Sequence, residues 1–220
     1  SGLRYALASA PTGASINSTT GVIDWTPVSS QLGSNTFALE LTDAAGNTRS
    51  ESFSVDVAGA PLAEIKLELV DLQGEPITSI AVGQQFLMRF IGVDLRQFSF
   101  DRDGVFAAFA DILFDSSLVR PVPGSAIDYD DRFPAVNKGT FASGLIDELG
   151  AATDRLVASE LEESLIATIR FEALAAGTVN IRSEPADDPD SEVLLYGNDN
   201  QIPANEVAYG SVSLAIGQSF

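Results

Sequence analysis

Residues 20–27 read Thr-Gly-Val-Ile-Asp-Trp-Thr-Pro, and three further blocks surround them near the start of the chain. Those blocks are Thr12-Gly13-Ala14-Ser15-Ile16-Asn17, Leu41-Thr42-Asp43-Ala44-Ala45-Gly46-Asn47 and Ser52-Phe53-Ser54-Val55-Asp56-Val57. Apolar and polar residues alternate in residues 23–26 and 37–41, which is typical of half-buried β-strands. Residues 43–47 are typical of a hairpin turn in which Gly46 or Asn47 adopts a positive φ. This part of the chain is therefore predicted to form a series of short strands.

The order of the four blocks resembles the cadherin-like, immunoglobulin-like repeats of extracellular proteins such as dystroglycan and large bacterial surface proteins. The resemblance covers residues 3–57 and implies a β-sandwich with Trp25 as a core anchor. We expect Asp43 and Asn47 to cap their own turn rather than to bind a metal. Members of this family carry additional strands before the segment that corresponds to residues 3–7. The first domain, residues 1–59, is therefore expected to be N-terminally truncated and to expose an unpaired sheet edge.

Charge and composition exclude several classes of function. The chain has 31 acidic and 12 basic residues, for a net charge of −19, so nucleic acid and anionic membrane surfaces will repel it. Cysteine and histidine are both absent, which excludes disulfides, thiolate metal sites and a serine–histidine dyad. No run of eighteen apolar residues is present, so we expect no membrane insertion. The acidity favours cations, notably calcium, although it is equally explained by solubility alone.

A second β-rich pattern follows a short linker at residues 60–62. Apolar residues alternate from Ala63 onward, and the mostly apolar segment 105–115 is predicted to be a central strand. Residues 145–165 also fit a helical face, but Gly150 interrupts it. We therefore predict a strand at residues 144–149, a loop, and a strand from Leu161. A short helix in place of the loop is the alternative.

Three blocks of this second region carry a further resemblance. They are Val82-Gly83-Gln84-Gln85-Phe86, residues 107–119 with the pattern of an apolar strand followed by Asp115 and Leu118, and residues 165–173 followed by Ala176-Gly177-Thr178. Together they resemble the cohesin domain, a nine-stranded jelly-roll related to carbohydrate-binding modules. The resemblance implies a domain at residues 63–220 and a dockerin-like module as partner. Residues 94–103 and 128–154 are insertions relative to a compact cohesin, so no contact residues are transferred.

Acidic loops and loop aromatics are the candidate sites. Calcium takes six to eight oxygen ligands from flexible loops, and clusters of Asp residues supply such ligands. The candidate calcium ligands are Asp101, Asp103, Asp187, Asp188, Asp190 and Asp199. The candidate ligand-binding aromatics, which would stack on sugar rings if exposed, are Phe98, Phe100, Tyr129 and Phe133. The alternatives are solvated acidic loops and aromatic residues that pack on the core.

The sequence therefore predicts an all-β chain of two β-sandwich domains in series, a partial immunoglobulin-like sandwich and a cohesin-like jelly-roll. The expected function is that of a non-catalytic, secreted or cell-surface module pair for protein–protein interaction, adhesion or assembly. The alternatives are a carbohydrate-binding module, which would take a glycan as its partner, and a purely structural spacer. A binding module should present a flat face with exposed apolar groups, whereas a spacer should be charged on every face.

Overall fold

The computed structural model of the chain describes residues 2–96, 104–155, 163–189 and 191–218. The described residues are almost entirely strands and turns, with short 3-10 helices at Ser29–Gln31 and Ala204–Glu206. No helix among them has the length and apolar character needed to cross a membrane. The chain divides into two compact units, Ser1–Ala60 (unit 1) and Pro61–Phe220 (unit 2). The all-β fold class predicted from the sequence is confirmed.

Unit 1 contains two small antiparallel sheets. Its strands are β1 (Arg4–Ser9), β2 (Ser15–Ile16), β3 (Ile23–Asp24), β4 (Gly33–Thr42) and β5 (Thr48–Val57). One sheet has the order β1-β4-β5, and β2 pairs with β3 in the other. β4 and β5 pair along their whole length without a register shift, which places Phe37 opposite Phe53.

The core of unit 1 is built around one phenylalanine. Phe37 is 1% exposed, Trp25 packs edge-on against it at 5.2 Å between ring centroids, and Phe53 stacks on it at 5.1 Å. Trp25 is thus a core anchor, as predicted. The turn between β4 and β5 also matches the prediction, because Asp43 Oδ1 accepts the N–H groups of Ala45 and Asn47 at 2.8 and 2.9 Å.

Unit 2 is a sandwich of two larger sheets. Its strands are β6 (Ala63–Val70), β7 (Ser79–Ala81), β8 (Gln85–Asp94), β9 (Val105–Leu113), β10 (Val119–Pro121), β11 (Asp128–Tyr129), β12 (Val136–Ala142), β13 (Leu145–Ala152), β14 (Glu163–Ala173), β15 (Gly177–Glu184), β16 (Leu194–Leu195), β17 (Val207–Tyr209) and β18 (Ser211–Gly217). The six-stranded sheet has the order β10-β14-β8-β6-β17, with β11 also on β14. The seven-stranded sheet has the order β12-β13-β9-β15-β18-β7, with β16 also on β9.

Alternating apolar residues of both sheets form the core of unit 2. Phe171 is fully buried, stacks on Phe86 at 5.6 Å and meets Phe114 edge-on at 5.2 Å. β9 is a central strand, as predicted, and its Ala110 and Ile112 are fully buried. The described part of unit 2 carries more strands than the nine predicted, because short segments such as β7, β11 and β16 add to the edges and ends of the two sheets.

The ambiguous segment at residues 145–165 begins as a strand. β13 runs from Leu145 to Ala152, three residues further than the predicted end at residue 149, because it stays paired with both β9 and β12. The next strand begins at Glu163. Residues 156–162, which include the position of the alternative short helix, lie outside the described residues.

A buried ion pair closes the base of the segment between β8 and β9. Asp94 is 7% exposed and accepts hydrogen bonds from the Arg96 guanidinium at 2.6 and 2.9 Å and from the Gly104 N–H at 2.9 Å. Burial raises the pKa of Asp94, but the hydrogen bonds from Arg96 and Gly104 outweigh it and hold the pKa below its usual value. Asp94 therefore fixes both ends of a chain segment that includes an expected insertion.

Candidate functional site

Three carboxylates meet on the outer face of the seven-stranded sheet. Asp111 points to that face because its neighbours in β9, Ala110 and Ile112, point into the core. Asp147 comes from β13, and Asp187 comes from the loop that follows β15. One carboxylate oxygen from each residue lies within 4.8 Å of the other two. Three oxygens this close together could share one cation, which would neutralise charges that otherwise repel each other.

A β-bulge brings Asp147 to this position. The pairing of β13 with β9 shifts between Ile146 and Leu149, so Asp147 and Glu148 both lie opposite Asp111. Glu148 has a φ of 57°, in the left-handed region that non-glycine residues rarely adopt. Its N–H donates to Asp111 Oδ1 at 2.9 Å. The bulge therefore holds Asp111 in place through the Glu148 N–H.

The protonation of Asp111 reflects this crowding. Burial raises the pKa of Asp111, and the negative charges of Asp147, Glu148 and Asp187 act in the same direction. The Glu148 N–H opposes them but does not outweigh them. A bound cation would reverse the effect, because it favours the charged carboxylate.

Glu148 contributes a buried oxygen to the same region. Its Oε1 accepts the Asp188 N–H at 2.8 Å, whereas its Oε2 is enclosed and has no hydrogen-bond partner among the described residues. Buried polar atoms are nearly always hydrogen-bonded or bound to an ion or water. Oε2 of Glu148 is thus a buried oxygen atom with unused bonding capacity on a residue that adjoins Asp147 in the chain.

Asp188 has a different role from its neighbour Asp187. Lys138 Nζ donates to Asp188 Oδ2 and to Ser191 Oγ, both at 2.7 Å, and it lies 5.8 Å from the centroid of the Phe109 ring. This salt bridge attaches the loop after β15 to β12. Asp188 therefore serves to position the loop that presents Asp187.

The other predicted calcium ligands do not join this cluster within the described residues. Asp199 is exposed, and the amide oxygen of its neighbour Asn198 accepts a hydrogen bond from Arg96 at 2.9 Å. Asp101, Asp103 and Asp190 lie outside the described residues. Of the predicted ligands, Asp187 alone lies in the described cluster.

The candidate sugar-binding aromatics that the structure describes pack on the core, which is the alternative that the sequence left open. Phe133 is 3% exposed and belongs to the core cluster. Tyr129 is half-buried against the core, and its hydroxyl donates to the Lys138 carbonyl at 2.6 Å. Burial also raises the pKa of Tyr129. Both residues anchor the insertion at residues 128–154 to the sandwich, so neither offers a free ring face; Phe98 and Phe100 lie outside the described residues.

The outer face of the six-stranded sheet has a different charge pattern. Lys66 pairs with Glu68 and Glu163 at 3.0 Å, and Arg120 pairs with Glu172. The hydrogen bond from Lys66 to Glu68, and to a smaller extent the one to Glu163, raises the pKa of Lys66. Acids on this face are thus matched by bases, in contrast to Asp111, Asp147 and Asp187.

Sequence reasoning missed two of the three clustered carboxylates. Asp111 and Asp147 lie in strands, and the search for calcium ligands considered only loops. One available signal was Asp111 itself, a single acid within the apolar run 105–115. The position of Asp147 beside Asp111 results from the bulge in β13, and no local sequence pattern indicates that bulge.

Comparisons with known proteins agree with the resemblance noted for unit 1. A family described as "Putative Ig domain" matches residues 1–58. No curated protein matches the chain. Solved structures with a similar fold include the cohesin module of a Clostridium perfringens family 33 glycoside hydrolase, at 12% identity and a TM-score of 0.48, covering 74% of this chain and 100% of that one.

Two further solved structures are similar over most of the chain. The third ScaC cohesin of Acetivibrio cellulolyticus, solved in complex with the ScaB dockerin, is 14% identical with a TM-score of 0.45, covering 70% of this chain and 98% of its own. The C-terminal domain of the Streptococcus agalactiae AgI/II polypeptide BspA is 12% identical with a TM-score of 0.39, covering 88% of this chain and 62% of its own.

Proposed function

We propose that this chain is a non-catalytic module pair of a secreted or cell-surface protein, and that unit 2 binds a protein partner through the outer face of its seven-stranded sheet. The observation that carries the proposal is the unequal charge of the two sheet faces. The outer face of the six-stranded sheet is neutralised by its own ion pairs. The outer face of the seven-stranded sheet holds Asp111, Asp147 and Asp187, which have no ion pair of their own among the described residues.

The shape of this second face also suits a protein partner. Small exposed side chains occupy much of the same face on strands β12, β15 and β18, apart from the Arg182–Glu184 ion pair; they are Thr140, Ala142, Thr178, Asn180, Ser211, Ser213 and Ala215. Short side chains leave a flat surface that another backbone can approach closely. The three carboxylates would give a partner's Lys or Arg side chain a specific position on that surface, because complementary charge fixes register and orientation.

The partner class follows from the sequence resemblance to cohesins, which bind dockerins. The test is binding of the immobilised full chain to a panel of calcium-loaded dockerin modules, measured by biolayer interferometry. Thr140→Arg would place a long cation on the proposed face, next to the position of Asp147. Gln85→Arg is the matched control, since it makes the same charge change on the outer face of the six-stranded sheet.

We expect at least one dockerin to bind, Thr140→Arg to weaken it at least tenfold, and Gln85→Arg to leave it unchanged. Equal loss in both variants would contradict the proposed face. Failure of every dockerin, together with binding on a glycan array, would favour the carbohydrate-binding alternative. That alternative is weakened by the burial of Phe133 and Tyr129, which removes two of the four aromatics proposed for it.

We also propose that calcium binds at Asp111, Asp147 and Asp187. Calcium prefers hard oxygen ligands, and these residues supply three carboxylates whose oxygens lie within 4.8 Å of one another. A bound ion would tie β9, β13 and the loop after β15 together. The same carboxylates would hold either calcium or a partner's Lys or Arg side chain, so calcium would compete with that contact on the proposed binding face.

The calcium proposal is tested by thermal unfolding with a chelator and with millimolar calcium. A ligand that binds only the folded state at a hundredfold excess over Kd adds about 2.7 kcal/mol to the free energy of unfolding. We expect the melting temperature of unit 2 to rise by several degrees in calcium. The variant Asp111→Asn/Asp147→Asn/Asp187→Asn should lose this shift, whereas Asp199→Asn should keep it. A shift of the same size in the triple variant would contradict the assignment.

A further inference from the structure

Exposed apolar side chains are concentrated in unit 1. Ten large hydrophobic residues are exposed in the described part of the chain, and six of them lie among its first sixty residues. They are Leu3, Val22, Val28, Leu32, Phe53 and Val55. In addition, Trp25 Nε1 is a buried donor without a partner among the described residues, although buried donors are nearly always hydrogen-bonded. These features indicate that part of the surface of unit 1 is normally covered.

The outer edge of β5 is the place where covering is most needed. β5 pairs with β4 on one side, and no described strand pairs with its other side. Nine of its ten residues are exposed, and Phe53 and Val55 retain 41% and 37% of their accessible surface. The register places Phe53 opposite Phe37, so Phe53 and Val55 face the core side of the sheet. The apolar, core-facing side of the sheet is therefore exposed to solvent at this edge.

β5 also lacks most of the features that protect edge strands. Natural edges are blunted by proline, lysine, bulges or short length. β5 contains neither proline nor lysine, has ten residues, and pairs with β4 without a register shift. Its two charges near the start, Arg49 and Glu51, bind each other. The half from Ser52 to Val57 carries one charge, Asp56, and presents a regular row of backbone N–H and C=O groups.

We infer that the outer edge of β5 accepts an extended strand of a partner polypeptide, a strand that is not among the described residues. A strand fits because it alone supplies both requirements of this edge. Its backbone would satisfy the unpaired N–H and C=O groups, and apolar residues at alternate positions would cover Phe53 and Val55. A sugar or a lipid would leave the row of backbone groups without partners. A second copy of this chain is disfavoured because each copy carries a net charge of −19.

The test grafts a model strand onto the full chain. The graft is a copy of the β4 sequence, Gly33–Thr42, placed before Ser1 through a flexible Gly/Ser linker of about eight residues. This attachment is suitable because Gly2 lies against Ala44, in the turn where β5 begins. The β4 sequence is a proven partner for β5, since it already pairs with the inner edge. The matched control graft has serine at its copies of Phe37, Leu39 and Leu41.

Amide hydrogen exchange across β5 gives the result. The outward-pointing amides, about every second residue, should exchange at least tenfold more slowly with the apolar graft than with the serine graft. Val55→Lys in the host should reverse this gain, because it places a charge against the incoming strand. Equal exchange with both grafts would overturn the inference. Outward amides already protected in the ungrafted chain, together with a dimer in sedimentation, would also overturn it and identify a second copy as the occupant.

Discussion

Units 1 and 2 both consist of β-strands, but they differ in how much apolar surface is buried between the sheets within each unit. Phe37 is the one buried hydrophobic residue of unit 1 among those described, whereas the core of unit 2 includes Phe86, Phe90, Ile112 and Phe171 between two broad sheets. Hydrophobic burial stabilises by roughly 25 cal/mol per Å² of apolar surface. Strand content alone therefore says little about stability, and the depth of sheet-on-sheet packing should separate the two units.

The largest expected effects come from one aromatic residue in each core. Phe37→Ala should prevent unit 1 from folding, because a domain of this size has little stability in reserve. Phe171→Ala should cost unit 2 about 3–5 kcal/mol, the usual loss for a buried phenylalanine. Trp25 is the sole tryptophan of the chain, so its fluorescence reports the unfolding of unit 1. Hydrogen exchange of β8 and β14 amides reports the unfolding of unit 2.

Each core variant is the control for the other. Phe37→Ala should leave the exchange rates of β8 and β14 unchanged, and Phe171→Ala should leave the Trp25 transition unchanged. If either substitution lowered the stability of both units equally, the two units would unfold as one body. The contrast between a shallow and a deep core would then have no thermodynamic meaning.

The next effect concerns the buried ion pair between Asp94 and Arg96 in unit 2. The described residues of unit 1 contain no buried ion pair. Asp94→Ala removes the acceptor of two Arg96 hydrogen bonds and of the Gly104 N–H, and the loss of one partner from a buried pair costs about 3 kcal/mol. Urea unfolding of unit 2 should show this loss. Asp199→Ala, an exposed residue, should change the free energy of unfolding by less than about 0.5 kcal/mol. A similar loss in both variants would show that Asp94 has no special role.

Local patterns predicted the parts of the fold that depend on neighbouring residues. The strands of unit 1, the core position of Trp25 and the capped turn at Asp43 all follow from contacts within short segments or from alternation along one strand. The acidic cluster does not, because Asp111 and Asp187 are far apart in sequence. They meet through the pairing of β15 with β9 and the loop that follows β15.

The burial of Phe133 also depends on contacts between distant segments, which local sequence patterns do not predict. Residues 128–154 are an insertion relative to a compact cohesin, and the sequence left open whether Tyr129 and Phe133 are exposed or pack on the core. In the structure, β11 pairs with β14 and β13 pairs with β9, which joins the insertion to both sheets of the sandwich. Pairing partners across the chain, rather than composition, decide which side of such a segment is buried.

The smallest expected effect is the pH dependence of unit 1 at its capped turn. The hydrogen bond from the Asn47 side chain, together with the N–H groups of Asn47, Ala45 and Gly46, lowers the pKa of Asp43 below its usual value. The folded state therefore favours the charged carboxylate. This contribution is complete above the unfolded-state pKa of about 3.9 and is lost as the pH falls through the lower folded-state pKa. Asp43→Asn should remove it, because an amide keeps an acceptor oxygen but carries no charge.

The Trp25 transition in urea, measured from pH 7 to pH 3, tests this expectation. The parent chain should be more stable than Asp43→Asn at pH 7, and the difference should shrink below about pH 4 as Asp43 becomes protonated. Asp71 forms a matching turn in unit 2, where its Oδ1 accepts the N–H groups of Gln73 and Glu75 at 2.8 and 2.9 Å. Asp71→Asn is therefore the control and should leave the Trp25 transition unchanged. A difference that stays constant with pH would show that the Asp43 carboxylate stabilises its turn through geometry alone, without a contribution from its charge.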